Sequence, residues 1–476
     1  MESEGLAAQS LPTILAAMKS AHARSRPVSA ELRIDRLRRL QALIRSHQSR
    51  FVEAASADFG TRHPVQTRME LAATLETARH AEKHVRGWMK PRRVPLPLPM
   101  RITGARTEVY PQPLGVVGVV SPWNFPYNLI LAPLAGILGA GNVAMVKPSE
   151  LSPACAEALA AALVGWFDPL EVRIFPGGPE VARAFVALHF DHLLFTGSPA
   201  IAKHVMRAAA DNLVPLTLEL GGKCPVIVDA DADLELVARR VALGNIQNAG
   251  QICLAPDILF VPHGTVDALI ACLRRVIREW FPSIADNPDY ACMIDRRAFE
   301  RVNGYLKEAQ AAGARIEPLA AEEPARFVDR YKIAPAVVID PEGRLSISSQ
   351  EIFGPLMVLR PYTDLAEVID YLDRNERPLA VYYFGKDKRR ARLLRERTVS
   401  GGMTVNDVIC HAAVEDAPLG GVGNSGMGAY HGKAGFDSFS HLKTVYYQGG
   451  LSVLGLFAPP YKARHVRLLD WVLGPE

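Results

Sequence analysis

Cys253 sits in the run Gly250-Gln251-Ile252-Cys253-Leu254-Ala255-Pro256, thirty-four positions after Glu219 in Leu218-Glu219-Leu220-Gly221-Gly222-Lys223. A thiolate can add to a carbonyl carbon, and a carboxylate can then activate the water that cleaves the acyl–sulfur bond. The two groups are the minimum equipment for oxidising an aldehyde through a covalent thioester. Each also has a plain structural reading. A Cys is often an inert core residue, and a Glu is most often a surface or paired carboxylate. Gly250 and Gln251 argue for an exposed turn that leaves the thiol reachable. Leu218, Leu220 and the Gly-Gly that follows argue for a partly buried loop carboxylate. Burial would raise its pKa toward the range useful to a base.

Three further segments carry candidate chemistry. Pro122-Trp123-Asn124-Phe125-Pro126 follows the apolar run Val116–Val120. Its prolines stiffen the turn, and Asn124 offers an amide donor to a developing oxyanion, an interaction worth roughly 3 kcal/mol when preorganised. The alternative is an Asn that only caps the next helix. Lys147-Pro148-Ser149-Glu150 follows the run Val143–Val146. The carboxyl ends of parallel strands are where open α/β sheets bind ligands, and a carboxylate there can accept both ribose hydroxyls. A solvated loop is the alternative. In Phe195-Thr196-Gly197-Ser198 an apolar run leads into a glycine and then a helix start at Pro199. Such a turn can hold a phosphate at the helix N-terminus, although any strand-to-helix turn looks similar. Gly421-x-Gly423-x-x-Gly426 and Gly139-x-Gly141-x-x-Ala144 match the dinucleotide glycine pattern in letters only. Neither has a strand running in and a helix running out, so both read as loop glycines.

The elements that must position these groups are legible in the hydrophobic periodicity. Residues 30–58 and 66–88 carry apolar residues at helical spacing and predict two long amphipathic helices. The proline-rich stretch 91–113 reads as an extended two-stranded excursion. From Gly115 onward, short apolar runs alternate with helical segments: Val116–Val120, Val143–Val146, Val172–Phe175, His192–Phe195 and Pro225–Val228. Strands buried on both faces read as such runs, and their alternation with helices argues for a parallel α/β sheet. After about Gly221 a second set appears. Its strands are expected at 258–261, 336–339 and 356–362, and its helices at 234–248, 267–281, 297–312 and 365–374. The fold expected is therefore α/β: a Rossmann-like unit, a second α/β unit and a small β excursion.

Bulk properties exclude several classes. A chain of 476 residues with 49% hydrophobic and 22% charged residues suits a multidomain globular protein. A net charge of +4 is far from the concentrated basic face that nucleic acid demands. The basic run Lys386–Arg397 reads as the wet face of a helix. Six Cys with no C-x-x-C pair argue for reduced thiols and a cytoplasmic setting. Thirteen His fall in no metal-ligand spacing, so no structural metal is expected. MESEGLAAQS has no apolar core and does not read as a signal peptide. The apolar stretch 128–146 is broken by Pro133 and three glycines, so it reads as a buried helix followed by a buried strand rather than a membrane span.

Taken together, the segments PWNFP, KPSE, FTGS, LELGGK, GQIC and Glu351-Ile352-Phe353-Gly354-Pro355 resemble the aldehyde dehydrogenase superfamily. They fall in order and span most of the chain. GQICLAPD and PLGGVGNSGMGAYHG are similar to the class 3 branch of that superfamily. FDHLLFTGS and the late APPY segment look closest to its bacterial coniferyl aldehyde dehydrogenase group. The resemblance implies NAD(P)-dependent oxidation of an aldehyde to the acid. Cys253 would be the nucleophile and Glu219 the general base. Asn124 and the Cys253 N–H would form the oxyanion hole. Lys147, Ser149 and Glu150 would hold the adenosine ribose, with Trp123 beside the cofactor. Gly197 and Ser198 would face the pyrophosphate, and Glu351 would grip the nicotinamide ribose with Phe353 beside it. NAD is the expected cofactor, with NADP also usable. The resemblance departs at Ala202, where the family usually has Gly, and Pro199 is also less usual. Both put the pyrophosphate pose in doubt.

The expected organisation assigns residues 1–90 and 114–219 to cofactor binding and 220–418 to catalysis. Residues 91–113 and 440–450 would serve oligomerisation, 419–439 would return to the cofactor unit, and 451–476 would form a tail. A homodimer paired through β segments is expected. Tyr127, Trp166 and residues 409–413 are the expected walls of a pocket for an aromatic (coniferyl-like) or medium-chain aldehyde. Two rival readings stay open: acyl transfer to coenzyme A in place of water, and a non-catalytic scaffold on the same fold.

Overall fold

The computed structural model describes residues 2–322, 330–340 and 342–474, with residues 2–9 described by their backbone alone. Two parallel sheets dominate. The first has six strands in the order Gly426–Met427, Leu216–Leu220, His192–Gly197, Val116–Val120, Val143–Lys147, Val172–Ile174. All are parallel except Gly426–Met427, which runs antiparallel to Leu216–Leu220. The chain starts at Val116–Val120, builds outward to Val172–Ile174, then returns to the other side through His192–Gly197. That reversal leaves a crevice at the carboxyl ends of Val116–Val120 and His192–Gly197, the position at which such sheets take ligands.

The strands are continuous apolar runs because helices cover both faces. On one face Leu37, Leu40, Leu71, Leu134 and Leu159 form a core; on the other, Leu15, Phe185, Val205 and Val214 form a second. The helix Glu2–Arg24, for which no signal was identified in the sequence, contributes Leu11, Leu15 and Met18 to the second core. The predicted single helix over 30–58 is two helices, Ala30–Ser46 and Gln48–Phe59, broken at His47, whose ring bonds back to the Leu43 carbonyl at 3.0 Å. Residues 128–146 form the helix Asn128–Gly139 and then the buried strand Val143–Lys147.

The second sheet has seven strands in the order Arg315–Pro318, Ala336–Ile339, Leu356–Tyr362, Pro256–Pro262, Cys224–Val228, Ala380–Phe384, Gly402–Val405. Only Arg315–Pro318 runs antiparallel to its neighbour. The basic run lies on the helix Lys388–Arg397, which buries Leu394 alone. A third sheet, Arg92–Val94, Arg106–Pro113 and Ser440–Tyr447, is wholly antiparallel and mostly solvent-facing. No described helix is long and apolar enough to cross a membrane.

Candidate active site

The carboxyl edge of the six-stranded sheet meets the amino edge of the seven-stranded sheet, and nearly all the candidate residues lie on these two edges. Glu219 is the fourth residue of the strand Leu216–Leu220, paired across the ladder with Gly426. The loop reading of Glu219 is thereby corrected: it is a strand residue, 3% exposed, because the glycine segment 421–426 folds back and covers it. Leu220 N donates to Ser425 O at 3.0 Å, which closes that cover. These glycines lie in a loop and a two-residue strand with no helix running out, and they form one wall of the site.

Cys253 comes from the other sheet, in the turn that enters the strand Pro256–Pro262. Ala255 N donates to Ile252 O at 3.0 Å and closes the turn. The expectation of an exposed turn is corrected in part, since Gly250 and Gln251 are buried. Within 248–255, Cys253 is the only residue not fully buried. The thiol is thus offered from an otherwise packed segment. Backbone strain marks this segment: Asn248, Ala249 and Gly250 take φ of 51°, 52° and 72° in succession. Left-handed conformations at non-glycine residues cost of order 1 kcal/mol or more each and persist only where the surroundings impose them. Gly250 cannot be replaced without conflict, because a Cβ there would lie 2.2 Å from Gly354 O.

A network of buried hydrogen bonds imposes the turn. Gln251, 0% exposed, donates from Nε2 to Asn248 O (2.9 Å) and Cys292 O (3.0 Å), and its Oε1 accepts from Ile294 N at 2.9 Å. Asn124 donates from Nδ2 to Gln251 O at 3.0 Å, so the PWNFP loop and the nucleophile turn are tied directly. That bond takes one of the two Nδ2 hydrogens. The Asn124 carbonyl in turn accepts from Arg62 Nη1 (2.9 Å) and Asn248 Nδ2 (3.2 Å). Arg62 pairs with Glu70 at 2.8 Å with both side chains fully buried, and Glu70 accepts the N–H groups of Tyr127 and Asn128. Cys224 donates its thiol hydrogen to Cys253 O at 3.3 Å, and Tyr382 OH donates to Leu254 O at 2.7 Å.

The electrostatics follow from burial. Desolvation pushes the Glu219 carboxyl up to about 7, and a hydrogen bond from Cys253 only partly offsets it. Burial and then the Glu219 charge push the Cys253 thiol well above its ordinary value. The pair therefore rests as a protonated thiol beside a carboxyl that changes charge near neutral pH. Glu351 is pushed up to about 8, first by burial and then by Asp257. Its carboxylate accepts from Gly222 N–H, and a Cβ at Gly221 would lie 2.2 Å from it, so the Gly-Gly of LELGGK makes room for this acid. Lys223 Nζ pins the same loop through Asp257 (3.1 Å) and Gln350 O (3.1 Å).

The crevice outside the six-stranded sheet is lined by the remaining candidates. Lys147 ends its strand 1% exposed, donating to Pro148 O at 2.6 Å and lying 3.5 Å from the half-exposed Glu150 carboxylate. Ser149 Oγ accepts from Leu151 N at 3.2 Å. Gly197 ends the strand His192–Gly197, and Ser198 caps the helix Pro199–Ala210, accepting from Ile201 N at 3.5 Å. Ala202 buries its methyl in the core beneath that helix. Trp123 and Phe353 meet edge to face at 5.6 Å across the two sheets. Glu219 Oε2 and Glu351 Oε1 are buried with no hydrogen-bond partner among the described residues. An exposed carboxylate at a strand end, a capped helix N-terminus and these orphaned oxygens together suit a nicotinamide dinucleotide.

Two expected pocket walls are corrected. Tyr127 is 0% exposed and donates its hydroxyl to Phe51 O at 2.8 Å inside the helical core. Trp166 packs on the same core, with its carbonyl held by Arg39. Ile409 and Ala412, by contrast, pack on the same cluster as Cys253 and Phe125. Arg62 and Glu70 were not foreseen. The available signal was weak: Glu70 falls on the buried stripe Thr67, Leu71, Thr74 of an otherwise ordinary helix.

The model of the Aldehyde dehydrogenase family matches residues 4–445. The chain is 47% identical over 454 residues to a protein of Caulobacter vibrioides named "probable coniferyl aldehyde dehydrogenase", covering 94% of this chain and 93% of that one. It is 45% identical over 474 residues to the coniferyl aldehyde dehydrogenase of a Pseudomonas species, covering 98% and 97%. Among solved structures, the substrate-bound state of Staphylococcus aureus AldH superposes with a TM-score of 0.90 at 31% identity, covering 97% and 99%.

Proposed function

The chain belongs to the aldehyde dehydrogenase family and is an NAD(P)-dependent enzyme that oxidises aldehydes; we propose that it does so through a thioester on Cys253, with Glu219 as the base and aromatic aldehydes of the coniferyl type as substrates. The observation that carries this reading is the pair itself: a reachable thiol hydrogen-bonded to a buried carboxyl poised at about 7. The coniferyl aldehyde relatives support the aromatic class.

Glu219 takes the thiol proton, and the sulfur adds to the aldehyde carbon. The charge that builds on oxygen is met by the second Nδ2 hydrogen of Asn124 and the Cys253 N–H. The bound nicotinamide supplies the acceptor for the hydride that leaves this carbon. Cys253 then holds the acyl group as a thioester. Once Glu219 has passed the thiol proton to solvent, it takes one from water; the hydroxide adds to the thioester carbon, the carbon–sulfur bond breaks, and the acid leaves with Cys253 regenerated. Lys147, Ser149 and Glu150 would hold the adenosine ribose, Gly197 and Ser198 would face the pyrophosphate, and Glu351 would take the nicotinamide ribose between Trp123 and Phe353. The six-stranded unit would serve cofactor binding, the seven-stranded unit catalysis, and the exposed strand Ser440–Tyr447 would pair two subunits as a homodimer.

Glu150 would repel a 2′-phosphate, so NAD is preferred, with Lys147 nearby leaving some NADP use. A panel of aromatic and aliphatic aldehydes, each run with both cofactors and with and without coenzyme A, tests the reading. Cinnamaldehyde-type substrates with NAD and no coenzyme A are expected to give the highest kcat/KM. A preference for short aliphatic aldehydes, for NADP, or for coenzyme A would overturn the corresponding part.

The pH dependence follows from Glu219. The carboxylate, not the acid, is the working form, so kcat/KM is expected to fall about tenfold per pH unit below about 7 and to level off above it. A profile flat from pH 5.5 to 8.5 would remove Glu219 as the titrating base.

A further inference from the structure

A cavity of about 430 Å³ lies at the base of the three-stranded sheet, lined by none of the candidate active-site residues. Its polar lining is Arg26, Arg33, Tyr110, Gln112 and His441, and Val28, Met89 and Pro113 are among its apolar wall. No carboxylate lines it. Arg33 is 4% exposed, yet it has no acidic partner. Its Nε donates to Val28 O at 3.2 Å and its Nη1 to Gly139 O at 3.1 Å, while Nη2 donates to nothing among the described residues. The guanidinium is also clamped from behind, since a Cβ at Gly141 would lie 2.7 Å from it. Among the described residues, Arg26 reaches only Leu114 O and a His22 ring nitrogen, both at 3.5 Å. The nearby acids are already engaged: Asp191 with Lys19 at 3.0 Å, and Glu171 with Arg36 at 2.9 Å and Arg39 at 2.8 Å.

Burying a guanidinium without a counter-charge is costly. Here burial holds Arg33 down at about 10, so it still carries its charge at neutral pH. Two guanidiniums lining one cavity, with no acid between them, form a preorganised oxyanion cradle. The apolar wall fits a ligand with a hydrocarbon body, which inorganic phosphate lacks.

We infer that this cavity binds a small organic carboxylate, with the carboxylate on Arg33 and Arg26 and an aryl or alkyl body against Val28, Met89 and Pro113. The site is separate from the catalytic crevice, and the inference does not depend on the roles proposed for Cys253 and Glu219.

Calorimetric titration of the full-length enzyme with trans-cinnamate and, separately, with inorganic phosphate tests it. Cinnamate is expected to bind, and Arg26→Ala, at an exposed position, is expected to weaken it at least about tenfold with the aldehyde KM unchanged. Arg33→Met is expected to abolish it. Because Arg33 also holds two backbone carbonyls, the Arg26 variant keeps the test decisive if Arg33→Met does not fold. No cinnamate binding, or equal binding by wild type and Arg26→Ala, overturns the inference. Phosphate binding as tightly as cinnamate would overturn the assignment to an organic carboxylate.

Discussion

Cys253→Ala is expected to lower kcat by at least about 10⁴-fold while leaving cofactor affinity within about twofold of wild type, because no other group can form the acyl bond. Cys224 is the nearest rival thiol, but it is fully buried and spends its hydrogen on Cys253 O. The Cys410 thiol is exposed but lies outside the packed turn that presents Cys253. The substitution removes a half-buried sulfur from a turn held by Gln251, Asn124 and Tyr382, and all of those bonds involve backbone atoms or other side chains. The variant should therefore fold. NADH production from an aldehyde measures the first effect, and quenching of protein fluorescence by cofactor measures the second. Residual turnover within tenfold of wild type would exclude Cys253 as the nucleophile.

Glu219→Gln is expected to slow the first turnover, because Gln cannot take the thiol proton, and to stall the enzyme after it. Hydride transfer precedes acyl release, so mixing the variant with aldehyde and cofactor should give about one NADH per active site. Steady turnover should then be slower than wild type by about 10²- to 10⁴-fold, the usual worth of a positioned base. Adding hydroxylamine, which cleaves thioesters without a protein base, should restore part of the rate. The stability change works in the opposite direction. The folded-state value of Glu219 lies above its unfolded value, so its ionisation opposes folding, and stability is lost as pH rises from about 4.5 through about 7. The variant should therefore melt higher than wild type at pH 8 and no higher at pH 4.5. Steady turnover at the wild-type rate would refute the assignment.

Much of this was legible before the structure. The strands Val116–Val120, Ala336–Ile339 and Leu356–Tyr362 and the helix Leu365–Arg374 were read to the residue, because buried strands and amphipathic helices announce themselves in local periodicity. The family resemblance rested on short motifs whose residue types are dictated by close contacts. Gly221 must be small because Glu351 presses on it, and Gly250 because Gly354 does. Tyr127 and Trp166 were misplaced because an aromatic residue beside a motif serves a core as readily as a pocket, and sequence carries no sign of the direction in which it points.

From the residues alone came the element order, the α/β class, the family and the candidates for the reacting groups, since each is written in types and spacings within a few tens of positions. The tertiary structure decided what those groups can do. Glu219 titrates near neutrality only because a glycine segment two hundred residues later in the chain covers its strand and shuts out water. Asn124 is held because Arg62, in the loop before the helix Pro64–Trp88, takes its carbonyl and Glu70, on that helix, takes the turn after it. Desolvation and orientation depend on what the whole chain packs around an atom, and no local stretch of residues contains that.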